Sequence, residues 1–212
     1  MTGFFSNDSI YGRAMNKLWE LIVLSVLWTV CCLPLFTVGA STTAAYYTAA
    51  KVIKKKTGTV AKSFLSAFRT NFKNSLGISL ITEVLLALLV AEAVYILETP
   101  AIPLWSLYAV YAMILLTLGI DFTLCVCLSR FQLSGFGLWK MALPMTFRYL
   151  PRTVLLLLLF GGAAVGVYLM PWVIFVLPGG AFWIAAMLME PVLLKHMPKP
   201  ASEEEKSKWY YQ

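Results

Sequence analysis

The feature that most constrains this chain is the distribution of its basic residues. All 17 Lys and Arg residues fall in four zones, and the three long stretches between the zones contain none. These base-free stretches cover residues 18–50, 74–129 and 153–194. They are apolar, since 60% of the chain is hydrophobic and only 13% is charged, about half the charged share of a soluble domain. The pattern predicts an all-α, polytopic helical membrane protein.

The base-free stretches also predict a topology. The four zones are Arg13 and Lys17; Lys51, Lys54, Lys55, Lys56, Lys62, Arg69 and Lys73; Arg130, Lys140, Arg148 and Arg152; and Lys195, Lys199, Lys206 and Lys208. Because basic loops stay in the cytoplasm, each base-free stretch is expected to leave that side and return to it. Stretch 74–129 accommodates two spans of about 20 residues, with an exterior turn at 98–103. Stretch 153–194 is best divided at 177–180, which leaves Pro171 as a kink within a span.

The stretch 18–50 leaves two topologies open. We favour a first span at about 18–34, an exterior turn at 35–40 and a short second helix at about 41–55, with Ser41 or Thr42 as its N-cap. The chain then has about six membrane segments and both termini in the cytoplasm. The alternative is one long kinked span with the N-terminus outside, which gives five segments. The charges of Arg13 and Lys17 argue against this alternative.

The chain also shows signs of an internal repeat within a single helical membrane domain, residues 1–212. A shift of 79 residues brings several positions of the second basic zone onto the third. The aligned pairs are Lys51 with Arg130, Gly58 with Gly137, Phe68 with Phe147, Arg69 with Arg148, and Lys73 with Arg152. We interpret them as a parallel duplication of residues 41–98 and 120–177, with chance similarity as the alternative. A cytoplasmic tail is expected at 197–212.

Each of the two basic loops contains an amphipathic stretch. In the first loop Phe64, Phe68 and Phe72 recur every four residues, opposite basic and polar side chains. The second stretch, residues 131–152, is similar but is broken by Pro144. Such helices lie in the headgroup layer and attract anionic lipid headgroups, and docking of a cytoplasmic partner is the alternative. The interfacial basic residues of interest are Arg69, Lys73, Arg148 and Arg152.

Acidic residues inside the base-free stretches form the best candidate site. Glu83 lies ten residues after Lys73, and Asp121 lies nine before Arg130, so both are expected about 14 Å from the cytoplasmic interface. Glu92, nine residues after Glu83, is expected on a similar face nearer the exterior. Neighbouring hydroxyls are those of Thr82, Thr117 and Thr123. The functional interpretation is a proton-linked or solute-binding cavity, and the structural one is a set of neutral acids that fix helix packing.

The sequence lacks the residues that several classes of function require. The single histidine, His196, excludes a His-based metal site and a His-dependent triad. The four cysteines, at 31, 32, 125 and 127, lie in apolar runs and are interpreted as small buried hydrophobes. A membrane enzyme acting on lipid-linked substrates would lack a recognisable nucleophile. We therefore predict no enzymatic activity, no catalytic residue, no metal, no cofactor and no nucleic-acid partner.

The N-terminal third of the chain carries a recognisable order of motifs. These are Phe4-Phe5-Ser6, Asn16-Lys17-Leu18-Trp19, Cys31-Cys32-Leu33-Pro34, Thr37-Val38-Gly39-Ala40-Ser41-Thr42-Thr43-Ala44, Ser63-Phe64 and Phe68-Arg69-Thr70-Asn71-Phe72-Lys73. In this order the chain resembles the YesL-like family of bacterial membrane proteins of unknown function. The resemblance implies a multi-pass protein of the bacterial cell membrane, often encoded beside carbohydrate uptake and degradation systems. It implies no catalytic residues.

The same resemblance draws attention to a broken-helix motif between the first two predicted helices. Its members are Pro34, Thr37, Gly39, Ser41, Thr42 and Thr43. Small residues here allow close backbone approach, and the hydroxyls can satisfy helix-start amides at membrane depth. A structural turn is one interpretation, and a substrate contact is the other.

These observations lead to two functional hypotheses. The first is a non-enzymatic protein of the bacterial cytoplasmic membrane that is accessory to, or regulates, carbohydrate uptake. Its partners would be the lipid bilayer, anionic lipid headgroups and a sugar-permease complex. The alternative is a small transporter or channel with an acidic intramembrane cavity.

Overall fold

The computed structural model describes residues 10–99, 103, 105–131 and 135–196. Within these residues the chain forms seven α-helices and no strand, which confirms the all-α prediction. The helices are α1 (Ile10–Cys32), α2 (Val38–Thr48), α3 (Val60–Glu98), α4 (Trp105–Leu128), α5 (Gly135–Arg148), α6 (Leu150–Leu169) and α7 (Leu177–His196). Segments of 3-10 helix, Leu35–Thr37 and Pro171–Phe175, precede α2 and α7, and a π-helical segment, Ala49–Lys54, extends α2. The motif at 4–6 and the predicted tail at 197–212 lie outside the described residues.

Among the described residues, five helices are long and apolar enough to cross a membrane. They are α1 from Ala14 onward, α3, α4, α6 and α7. Many of their large apolar side chains face outward, as Leu88 of α3 and Leu158 of α6 do with 64% and 68% of their surface exposed. An apolar outer surface of this extent fits lipid as the surrounding solvent. The chain is a multi-pass membrane protein.

The stretch 18–50 forms a hairpin. The indole N–H of Trp28 donates to the Thr42 hydroxyl across 3.5 Å, whereas Glu20 shares a cleft with Val52 and Ile53. Since positions near the end of α1 face the start of α2, and earlier positions of α1 face the π-helical segment, the two helices are antiparallel. The favoured hairpin is therefore confirmed over one long kinked helix. Whether α2, which is shorter than the five spans, crosses the bilayer stays a prediction.

The second helix begins earlier than predicted. Thr37, not Ser41 or Thr42, takes the N-cap position of α2. The Thr37 hydroxyl lies 2.5 Å from the Cys31 carbonyl oxygen and 2.6 Å from that of Pro34. Because this hydroxyl supplies a donor to carbonyls at the end of α1, the turn closes before residue 38 and does not extend to residue 40.

The break between the last two spans also differs from the prediction. Helix α6 ends at Leu169, two residues before Pro171, and α7 starts at Leu177. The predicted break at 177–180 is instead the first turn of α7. Pro178 is tolerated there because the first N–H groups of a helix have no partner within it. As a result α7 has 20 residues, a full span rather than the short one expected.

The first amphipathic stretch is helical, but it is not the separate interfacial helix that we expected. It is the first part of α3, which runs without interruption for 39 residues because no proline separates the stretch from the span. Phe64 is fully buried and stacks on Phe68, with ring centroids 6.2 Å apart. The phenylalanine face therefore packs against the protein, while Arg69 and Lys73 remain exposed.

The second amphipathic stretch forms α5 and is not broken at Pro144 as predicted. The break falls instead at Tyr149, between α5 and α6. The proline is exposed, whereas Leu138 and Ala142 on the opposite side of α5 are fully buried. Because its ring lies on the outer side, the proline does not disturb the packed face. The proposed duplication of 41–98 and 120–177 stays a prediction.

The short helix α2 lies at the centre of the bundle. It contacts α1, α3, α4 and α7, and its residues Ala44, Ala45 and Tyr46 have no exposed surface, like Ala49 and Ala50 of the π-helical segment. Alanines allow neighbouring helices to approach closely, which is how helices commonly pack inside membranes. The shortest helix is therefore enclosed by four of the others.

Described residues of the first three basic zones lie in one region of the molecule. Lys17 and Lys56, from the first two zones, line the same cleft. Lys54 reaches a backbone carbonyl of α7 at 3.5 Å, and Arg130 pairs with Glu190 near the end of α7. These contacts join the zones as expected if all of them lie on one side of the membrane.

Candidate functional site

Two of the candidate acids, Glu83 of α3 and Asp121 of α4, lie near each other. The Thr82 hydroxyl of α3 donates to Oδ1 of Asp121 on α4 across 2.6 Å. Glu83, the next residue along α3, is close enough to Asp121 for the two carboxyl groups to interact. Thr82 is 2% exposed, so this contact belongs to the interior of the bundle. Glu83 and Asp121 therefore interact across α3 and α4, and their common depth in the membrane stays a prediction.

The acids also meet the broken-helix motif. The Glu83 carboxyl faces the backbone amide of Gly39 in the first turn of α2. The N-terminal end of a helix carries partial positive charge, which favours a carboxylate there. A Cβ at position 39 would overlap the side chain of Ser79 on α3. Glycine at this position therefore lets α2 approach α3 closely enough for the contact.

A cavity of about 380 Å³ opens beside Asp121, between α1, α2, α4, α6 and α7. Its wall includes four aromatic rings, those of Trp28, Phe122, Phe160 and Phe182. The rings form a continuous series, with centroid distances of 5.0 Å between residues 122 and 160, 5.1 Å between 160 and 182, and 5.5 Å between 182 and 28. The polar groups are Asp121, Thr42 and Thr153. An aromatic wall with a few polar groups is typical of small-ligand sites, and this volume is typical of them too.

The motif residues take different roles. Thr42 lines the cavity, and its hydroxyl oxygen accepts a hydrogen bond from the indole N–H of Trp28. Gly39 contacts Glu83. The Thr43 hydroxyl donates to the Gly39 carbonyl, and fully buried Ser41 lies beside the Cys32 thiol. These two hydroxyls therefore do not satisfy helix-start amides as we expected. The turn residues Pro34 and Thr37 do not line the cavity.

Glu92 does not join the site, which corrects the predicted polar track. Nine residues of an α-helix correspond to two and a half turns, so Glu92 points to the side opposite Glu83. Its side chain is exposed on the outer surface of α3. Thr117 and Thr123 also fail to contribute, because each donates to a backbone carbonyl of α4.

Sequence analysis missed a second buried polar group. One nitrogen of Arg130, Nη2, lies 2.8 and 2.7 Å from the two carboxylate oxygens of Glu190, and both side chains are at least 98% buried. The hydroxyl of buried Tyr46 and the ammonium of Lys54 lie near this pair. Burial lowers the pKa of Lys54, while the Glu190 carboxylate acts in the opposite direction. The sequence contained one indication of this pair, because Arg130 and Glu190 each lie near the end of a base-free stretch that was expected on the cytoplasmic side.

The interfacial basic residues occupy the surface. Arg69, Lys73 and Arg148 are exposed, and Arg152 is partly exposed with its guanidinium 5.6 Å from the Tyr149 ring centroid. Their contact with lipid headgroups stays a prediction.

Comparison with known proteins gives a family match over part of the chain and no activity. No curated protein and no solved structure matches the chain. The family described as "Protein of unknown function, DUF624" matches residues 21–93. This segment contains most of α1, all of α2 and most of α3, and therefore Gly39 and Glu83. Over residues 21–93 the chain is similar to DUF624, the YesL-like family of bacterial membrane proteins of unknown function.

Proposed function

We propose that this chain is a non-enzymatic, multi-pass protein of the bacterial cytoplasmic membrane that assists or regulates carbohydrate uptake by binding a solute in the Asp121 cavity. The observation that supports this proposal is the combination of four aromatic rings and one carboxyl group around about 380 Å³. Aromatic faces pack against the C–H faces of a sugar ring, and carboxylate oxygens accept hydrogen bonds from its hydroxyls. Thr82 donates to Oδ1 of Asp121, which leaves Oδ2 as the oxygen proposed to accept such a bond.

The proposal extends to orientation and partners. Both termini, including the tail at 197–212, lie in the cytoplasm, and Arg69, Lys73, Arg148 and Arg152 contact anionic headgroups. The gathering of described residues of the first three basic zones in one region supports this orientation. A sugar-permease complex is the proposed protein partner, and no nucleic acid or cofactor takes part.

Binding to the protein in lipid nanodiscs tests the proposal. We expect glucose, maltose or a related neutral sugar to raise the unfolding temperature. Replacement of Asp121 by Asn should weaken that sugar's affinity severalfold, because the amide nitrogen cannot accept the hydrogen bond and a hydrogen bond contributes about 0.5–1.5 kcal/mol. Glu92→Gln is the matched control, since Glu92 is an exposed acid outside the cavity. Equal affinity of the Asp121→Asn variant and the wild type would contradict the assignment of the cavity.

A transporter or channel is the second candidate, and one observation favours it. Oε1 of Glu83 is buried without a hydrogen-bond partner among the described residues, and the Glu83 carboxyl interacts electrostatically with that of Asp121. Such a group is a plausible proton carrier in membrane transport. Sugar flux into liposomes containing only this protein, lost in Asp121→Asn, would favour this candidate. Absence of flux together with co-purification of a permease complex would favour the accessory role.

A further inference from the structure

The Asp121 cavity opens to the outer surface of the bundle between α4 and α6. The two helices touch at one end of this gap, where a Cβ on Gly119 would lie 2.7 Å from Cγ2 of Thr153. A Cβ at Gly161 of α6, which also lines the cavity, would meet no atom of another helix within 4 Å. No described helix therefore closes the gap at Gly161. The rim of this opening is formed by exposed apolar residues, which are Leu115, Leu118, Gly161 and Ala164.

The position of the rim along the two helices places it among acyl chains rather than in water. Leu118 lies ten residues before the end of α4, and Gly161 lies eleven residues after the start of α6. Arg130 follows α4 and Arg152 lies in the first turn of α6, so these two helix ends belong to the basic side. At about 1.5 Å per residue, the rim is about 15 Å from that side. Because the hydrocarbon core is about 30 Å thick, the opening faces the middle of the bilayer.

The polarity of the cavity changes between its interior and its rim. The polar groups of the wall, Thr42, Asp121 and Thr153, are partly or fully buried, whereas the rim has none. A rim of this kind offers no hydrogen bond to a sugar hydroxyl, which would lose its partners in water there. It does match a hydrocarbon chain. A ligand that suits both parts is therefore polar at one end and apolar at the other.

We propose that the ligand of the Asp121 cavity is a membrane-dissolved glycoside, whose sugar contacts Asp121 and whose hydrocarbon chain passes between α4 and α6 into the bilayer. This inference rests on the proposed function, since it keeps the sugar in the cavity and adds the chain. The glycoside reaches the site by lateral diffusion in the membrane. Its chain packs against the rim residues Leu115 and Leu118 where it leaves the protein.

Equilibrium binding of two radiolabelled glucosides to the full chain in lipid nanodiscs tests the inference. The probes are methyl glucoside and hexyl glucoside, both below the concentration at which hexyl glucoside forms micelles. Binding to empty nanodiscs is subtracted, because the hexyl chain also dissolves in lipid. We expect hexyl glucoside to bind about tenfold more tightly, since burial of each additional methylene strengthens binding by about three- to fourfold.

Two adjacent glycines of α6 provide a matched pair of variants. Gly161 and Gly162 are both exposed, and a Cβ at either would meet no atom within 4 Å, but only Gly161 lines the cavity. Gly161→Leu places a side chain in the opening and should lower the affinity of hexyl glucoside to that of methyl glucoside. Gly162→Leu should change neither affinity. Leucine is the better helix former, so neither substitution opposes folding of α6.

The possible failures are distinguishable. Equal affinities of the two glucosides for the wild type would overturn the inference and leave the sugar site in place, with bilayer acyl chains as the occupants of the opening. Equal losses in Gly161→Leu and Gly162→Leu would also overturn it, since the chain would then bind the outer surface of α6. Absence of binding by both glucosides would contradict the proposed function as well. Circular dichroism and elution volume establish folding, and Ala164→Leu replaces Gly161→Leu if the latter does not fold.

Discussion

At the scale of single residues, the Arg130–Glu190 pair is the contact whose loss should cost most. Both side chains are almost completely buried, and two carboxylate oxygens lie within 2.8 Å of one guanidinium nitrogen. Removal of one member of a buried ion pair leaves the other charge uncompensated, at a cost of about 3–5 kcal/mol. We therefore expect Glu190→Gln to lower the unfolding temperature of the detergent-solubilised protein substantially.

The control for this prediction is Glu98→Gln, which neutralises an exposed acid at the end of α3 and should leave the unfolding temperature almost unchanged. A double variant, Arg130→Met with Glu190→Leu, removes both charges and should recover part of the loss. Equal unfolding temperatures for Glu190→Gln and the wild type would show that the pair does not stabilise the fold.

The individual acids were only partly predictable. Asp121 and Glu83 stood out in the sequence because an ionisable group far from any base is unusual in a membrane span. The Arg130–Glu190 pair did not stand out in the sequence. To recognise it, one must know that the end of α4 packs near the end of α7. Glu92 was assigned to the wrong face because a spacing of nine residues was not converted into helical turns.

At the scale of elements, contact between α1 and α7 depends on one glycine. The Gly179 N–H donates to the Ser25 hydroxyl at 2.8 Å, and that hydroxyl donates to the Leu21 carbonyl at 2.9 Å. A Cβ at position 179 would overlap the Leu21 carbonyl oxygen. We expect Gly179→Ala to push the two helices apart and to destabilise the protein by about 1–3 kcal/mol, seen as a lower unfolding temperature.

The neighbouring residue provides the comparison. A Cβ at Gly180 would meet no atom within 4 Å, so Gly180→Ala should be neutral or slightly stabilising. If both substitutions had the same effect, helix propensity rather than close packing would explain it.

Helix boundaries were predicted less well than helices. Pro171 and Pro178 both interrupt the apolar pattern, and the structure ends α6 before the first and places the second within the first turn of α7. The sequence does not distinguish these roles, because proline is compatible with the first turn of a helix and with the residues after its end. The start of α2 was misplaced for a related reason, since Thr37 donates to carbonyls of the preceding turn.

At the scale of the whole molecule, the two ends of α3 should lie on opposite sides of the membrane. In a background without the four native cysteines, we expect a membrane-impermeant maleimide to label Glu98→Cys in intact cells. Lys62→Cys should be labelled only after lysis, because Lys62 belongs to a basic loop. Both positions are exposed, so accessibility within the protein does not limit the reaction. Labelling of Lys62→Cys in intact cells would invert the proposed orientation.

The distribution of charge predicted the general architecture, but hydropathy could not predict which helix is central. Ala44 and Leu88 are both apolar, yet the first has no exposed surface and the second is 64% exposed. Lipid acyl chains and the protein interior are similarly apolar. Composition therefore does not show whether an apolar side chain faces lipid or packs inside the protein. The approach of Gly39 to Glu83 was unpredictable for the same reason.

The enclosure of α2 has a consequence for biogenesis. Translation delivers this short segment, with its buried serine and threonine hydroxyls, before α3, α4 and α7 exist to surround it. A polar helix left alone among acyl chains is poorly accommodated, so its final placement must await the C-terminal helices. Assembly of the bundle is therefore expected to finish only after α7 has been synthesised, because α7 completes the packing around α2.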